Sequence, residues 1–139
     1  MNIERKKANS FTGRITLGTQ IGYLDDIISE NELISFVQEY QDGLIQEKDL
    51  YLSVCLSSSK IILSGQDEPH FQLSFINYPK FPLEVNILKN EIENFTKALM
   101  THFSQNRIVV EFPEETIMFE ITENLDPRIK STGKNFHKK

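Results

Sequence analysis

The chain has 139 residues, 39% of them hydrophobic, with ten Phe and a formal charge of −5 at pH 7, a size that suits one domain with a core built without disulfide or metal. No apolar run approaches the roughly 20 residues of a membrane span, and the start MNIERKKANS lacks the apolar segment of a secretory signal. The single cysteine, Cys55, excludes an internal disulfide, so the expected setting is the cytoplasm, with no membrane partner.

Residues 1–12 show no sustained period and carry Arg5, Lys6 and Lys7 against Glu4, so they are expected to form a flexible basic head. From Gly13 to Ile21, Ile15, Leu17, Thr19 and Ile21 alternate with Thr16, Gly18 and Gln20, the period of a strand. Ser29 with Glu32 three residues on is a capping box, and Leu33, Phe36, Val37, Tyr40 and Leu44 continue from it as one helical stripe, with Gly43 as the expected stop. Leu50, Leu52, Val54 and Leu56 then alternate with Tyr51, Ser53, Cys55 and Ser57 as a second strand. The short apolar run Lys60–Leu63 meets the turn formers Ser64–Asp67, and Phe71, Leu73 and Phe75 mark a further strand over 70–77.

Tyr78-Pro79-Lys80-Phe81-Pro82 breaks that strand, because proline has no amide for the ladder. Leu88, Ile92, Phe95, Leu99 and Phe103 predict a second helix over 86–104, with Asn106 as the left-handed residue that ends it. Arg107–Phe112 is a fourth strand, and Pro113–Thr116 turns the chain into a short closing strand over 117–121. The tail, residues 124–139, is expected to be flexible and basic, leaving 13–123 as one domain, and the body between Arg14 and Arg128 carries about −13. An acidic body argues against nucleic acid as a partner of the folded domain, since phosphate contacts need clustered Lys and Arg.

The predicted fold class is α/β (α+β): a β-α-β-β-α-β two-layer sandwich with both helices on one face of a mainly four-stranded sheet, plus a short C-terminal strand. The opposite face would present Thr16, Gly18, Gln20, Ser53, Cys55, Ser57, Gln72, Ser74 and Glu111, mostly small polar groups with few charges. A solvated sheet face usually carries more Lys and Glu, so this one is expected to line an interface in a homo-oligomer.

Candidate chemistry is sparse. His70, His102 and His137 lack metal-ligand spacing, and no phosphate-binding glycine loop, nucleophile elbow or HExxH sequence is present. His70, just after Pro69, is placed at a pocket rim, and the stiff segment carrying Tyr78 and Lys80 could take a small anionic ligand or a protein partner. No cofactor is implied.

Tyr51-Leu-Ser-Val54, Ile62-Leu-Ser-Gly65 and Glu68-Pro69, with the later Gln105-Asn-Arg-Ile-Val-Val-Glu-Phe112, resemble the tautomerase superfamily, in its macrophage migration inhibitory factor-like branch. The resemblance implies a trimer and a general base supplied by an N-terminal proline. Here that position falls near Gly13, the pocket lysine is best matched by Lys48, and the pocket tyrosine falls at Val109. Without the proline, the resemblance implies a divergent, non-catalytic oligomeric module for binding or structure. The alternatives are a keto-enol tautomerase using Lys48 or His70 as the base, and a ferredoxin-like acidic domain that neutralises a basic partner.

Overall fold

A computed structural model of the chain describes residues 1–21 and 26–121. Its elements run β1 (Thr12–Gly18), α1 (Glu30–Lys48), β2 (Cys55–Leu63), β3 (Gln66–Ile76), α2 (Val85–His102), β4 (Arg107–Glu111) and β5 (Thr116–Glu120). The strands form one sheet in the order β2-β3-β1-β4-β5, with every neighbouring pair antiparallel. This is the α+β sandwich with two helices that the sequence predicts, with the closing strand as a full fifth member of the sheet. The predicted basic tail lies outside the described residues.

The strand alternations decide which face the helices cover. Ile15 and Leu17 of β1, Leu73 and Phe75 of β3, and Ile108 and Val110 of β4 are all buried beneath Leu33 and Val37 of α1 and Leu88, Ile92, Phe95 and Leu99 of α2. Phe95 joins the layers: its ring centroid is 5.7 Å from Phe75 below and 4.8 Å from Tyr40 on α1, both edge-on, the arrangement that aromatic quadrupoles favour. The other face keeps Thr16, Gly18, Cys55, Ser57, Gln72, Ser74 and Glu111, the set expected there apart from Ser53, which precedes β2, and Gln20, which follows β1.

The start of α1 follows the sequence. Ser29 accepts from the Glu32 amide at 3.1 Å, and the Glu32 carboxylate accepts from the Ser29 amide at 3.0 Å, which holds that carboxyl below its ordinary range. The end does not. The helix runs through Gly43 to Lys48 and stops at Asp49, whose φ of 52° is left-handed, because Leu44 still lies on the buried stripe. Residues 50–54 consequently form a loop, not the predicted strand: Leu50 and Leu52 are buried under α1, the Leu50 amide bonds to Leu44 O, and Gln41 Nε2 bonds to Leu52 O at 2.9 Å. At the far end of α2 the left-handed residue is Ser104, at φ 52°, rather than Asn106.

The head is anchored earlier than the sequence indicates. Phe11 stacks on Phe112 at 5.6 Å, and the buried Asn77 side chain donates to Asn9 O and Leu83 O while accepting from the Leu83 amide. These bonds tie the start of the chain to the turn after β3.

The β2–β3 hairpin is longer than its neighbours. β1 pairs with β3 only as far as Gly18 opposite His70, whereas β2 continues along β3 to Leu63 opposite Gln66. Pro69 explains the end of the shared ladder. Its carbonyl accepts from Thr19 Oγ1 at 3.2 Å and so faces the β1 side, where its missing amide could have bonded nothing. The outer hairpin therefore projects as a two-stranded ribbon with Ile62 and Leu63 70% and 71% exposed.

Candidate functional site

Where β1 ends and the hairpin begins, the helix-free face sinks into an open groove of about 620 Å³. β1 supplies Thr16 and Gly18, β3 supplies Glu68 and His70, and the α2–β4 junction supplies Gln105 and Arg107. Ile27, Ile61 and Met118 add apolar walls, and each is well exposed. Glu68 is the only carboxylate among the lining residues.

Two of the polar side chains are held firmly. His70 Nδ1 lies 3.1 Å from Glu68 O, which fixes the ring beside the floor. Gln105 is only 7% exposed, and its amide nitrogen donates to Gln20 O at 2.7 Å and Phe103 O at 3.2 Å. The bond to Gln20 ties the α2–β4 junction to the segment after β1. Arg107 pairs with Glu120 of β5 at 2.6 Å, along the same side of the sheet.

Of the site positions named from sequence, His70 lines this groove, as does Val109, where the resemblance places a tyrosine. Lys48 lies in the last turn of α1, on the helix layer, with its Nζ 2.8 Å from Glu91 Oε2; that hydrogen bond and the Glu91 charge raise its pKa. Tyr78 and Lys80 sit beyond the other end of β3, roughly 20 Å or more from His70 by strand rise. There Tyr51 stacks on Phe81 at 4.6 Å, Tyr78 lies 6.1 Å from the same ring, and Lys80 Nζ is 5.7 Å from it. Gly13 lies inside β1, where a side-chain carbon would come within 2.9 Å of Ile92 Cδ1, so the strand passes tight under α2 and no pocket opens there. Among the described residues no His, Cys, Asp and Glu cluster could hold a metal ion, and no described helix is long and apolar enough to cross a membrane.

Sequence reasoning passed over Gly18, Gln105 and Arg107 as site residues. The available signal was Gln105 itself, a polar residue between the end of an apolar helical stripe and an apolar strand, a position that demands buried hydrogen bonds.

No family model matches the chain, and no curated protein matches it in sequence. Among solved structures, a phage SAM lyase in complex with S-methyl-5′-thioadenosine is similar over 90% of this chain and 100% of its own, at a TM-score of 0.63 and 18% identity. A phage SAM lyase in the apo state is similar over 88% of this chain and 98% of its own, at 0.60 and 15%. These neighbours overturn the functional expectation of a non-catalytic tautomerase-like module, and with it the alternatives of a keto-enol tautomerase and of a ferredoxin-like acidic domain. Two of the segments that carried the resemblance also take other forms: Tyr51–Val54 is loop, and Glu68-Pro69 lies inside β3 instead of opening it. In fold, the chain is similar to phage SAM lyase along essentially the whole length of that protein.

Proposed function

We propose that this protein binds S-adenosylmethionine in the groove beside β1 and cleaves it, releasing S-methyl-5′-thioadenosine. The observation that carries this reading is the fold likeness to a SAM lyase across 100% of that chain. The groove is compatible with such a ligand: one carboxylate, Glu68, for a cationic centre, Arg107, paired with Glu120, on the β4 side, neutral polar groups on the floor, and apolar walls.

The sulfonium of S-adenosylmethionine leaves as a neutral thioether, so it needs no acid. When the substrate's own carboxylate attacks the carbon two bonds from its α-carbon, a C–O bond forms and the C–S bond breaks. The electron pair goes to sulfur, the two opposite charges cancel, and the products are S-methyl-5′-thioadenosine and a lactone. No proton moves. This route asks no base of the groove, whose lining holds one carboxylate, Glu68. The protein would contribute the folded substrate conformation and the exclusion of water, which favours a charge-cancelling step.

The groove is open on one side, and Ile61, Ile62 and Leu63 stand exposed beside it. We include in the proposal a homo-oligomer, expected to be a trimer, in which a second copy covers this face and closes the site.

The test is incubation of the purified chain with S-adenosylmethionine, with chromatography and mass spectrometry of the products. S-methyl-5′-thioadenosine and lactone should form above the uncatalysed rate, and Glu68→Gln should raise KM about tenfold or more by removing the counter-charge. Product formation no faster than in buffer would remove the reading.

A further inference from the structure

Gly18 brings no side chain to the groove floor, and two polar atoms converge on the space above it. A Cβ at this position would lie 3.6 Å from Gln105 Oε1 and 3.7 Å from His70 Nε2. Their other bonds make Gln105 Oε1 an acceptor and, in the neutral imidazole, His70 Nε2 one as well. The Gln105 amide has two hydrogens, and Gln20 O and Phe103 O take both. Reversing the amide would set its oxygen against two carbonyl oxygens, and the buried side chain has no room to turn elsewhere. His70 Nδ1 faces Glu68 O, a carbonyl that can only accept. The ring hydrogen therefore sits on Nδ1, and in the neutral ring Nε2 presents a lone pair. Among the described residues, neither Gln105 Oε1 nor His70 Nε2 has a protein partner.

Two converging acceptors with no formal charge select a particular ligand group. A keto or carboxylate oxygen is repelled, a sulfonium has no hydrogen to give, and a hydroxyl satisfies one acceptor and leaves the other bare. An alkylammonium has the hydrogens but is better matched by the Glu68 carboxylate on the same groove wall. A neutral amino group on an aromatic ring supplies two coplanar hydrogens, and its flat edge can descend over Gly18 because no Cβ stands in the way. The geometry points to the niche over Gly18 as the seat of the exocyclic amine of adenine, with Gln105 and His70 as the residues that read it. The assignment rests on the S-adenosylmethionine reading above and gives that ligand an orientation, with its adenine on the β1 floor and its cationic end toward Glu68.

The test compares S-methyl-5′-thioadenosine with its deaminated analogue, which carries hydrogen in place of the amine, by calorimetric titration of the full chain. Wild type should bind the amino compound about tenfold tighter or more, because the analogue leaves two acceptors dry. In Gly18→Ala the new methyl meets its neighbours at ordinary contact distances, so the fold should melt as wild type does while the preference for the amine disappears. Equal wild-type affinity for the two nucleosides, or a preference that survives Gly18→Ala, would overturn the assignment. Methionine carries only an α-amine, and its binding should be indifferent to Gly18→Ala; loss of methionine binding in that variant would place the α-ammonium in the niche and refute adenine there. If S-adenosylmethionine is cleaved but both nucleosides bind alike, this assignment alone falls. If there is neither cleavage nor nucleoside binding, the parent reading falls with it.

Discussion

Lys48 Nζ reaches across from α1 to lie 2.8 Å from Glu91 Oε2 on α2, while Glu91 Oε1 is buried with no hydrogen-bond partner among the described residues. The pair is lopsided: the lysine side chain is about half exposed and the glutamate side chain almost wholly covered. Removing the lysine leaves a buried carboxylate without its counter-charge, whereas removing both charges leaves a space that apolar groups can fill. Lys48→Met should therefore lower the melting temperature by about 5 °C or more, and Lys48→Met with Glu91→Leu should recover most of the loss. A double variant no more stable than the single would show that the ion pair itself holds the helices together. The pH dependence has a definite sign. The folded pKa of Lys48 is raised above the ordinary 10.5, so its contribution is complete below that value and fades as pH climbs through the folded pKa. Tyr40, raised by burial and by Glu91, and Lys89, raised by its bond to Glu115, act in the same direction. Melting curves should thus weaken above about pH 10, and Lys48→Met should flatten that fall.

Gly13 lies where β1 passes closest to α2. A Cβ there would stand 2.9 Å from Ile92 Cδ1 and 3.1 Å from Phe112 Cε1, both on buried side chains. Ala forces a small shift and Val a larger one, so Gly13→Val should destabilise by about 1–3 kcal/mol in denaturant titration, with Gly13→Ala between it and wild type. A neutral Gly13→Val would mean that the helix layer yields far more easily than a packed core allows.

The outer hairpin offers a separate measurement. Ile62 and Leu63 contribute nothing to the core of a single chain, so Ile62→Lys with Leu63→Ser should leave its unfolding free energy within about 0.5 kcal/mol. In the proposed trimer the same change uncovers an interface, and light scattering should report a lower particle mass than wild type. An unchanged mass would remove the hairpin from the interface.

The sequence was most legible where local chemistry acts alone. Ser29 and Glu32 announce the start of α1 because a capping box needs only three residues of separation, and the alternation around Ile15, Leu73 and Val110 assigns the covered face because a strand has only two sides. Leu50 and Leu52 show the limit of that logic: they alternate and are buried, but an overhanging helix buries them, without any ladder. Strand order was not legible, since antiparallel pairing of β1 with β3 and β4 joins residues as far apart as Arg14 and Glu111. The groove was equally hidden. His70 stood out by residue type, but the importance of Gln105 depends on Gln20 O and Phe103 O, which the fold alone brings within its reach.

Pro69 has an effect beyond ending a ladder. Past His70, the side of β3 that β1 has left is an open edge beside the groove, the kind of edge on which any extended segment could settle and grow. Because Pro69 cannot donate there, a stray strand finds a gap in the row of bonds it would need. The same residue that lets the floor open thereby guards it against being zipped shut, keeping the groove available to a small molecule and closed to misassembly.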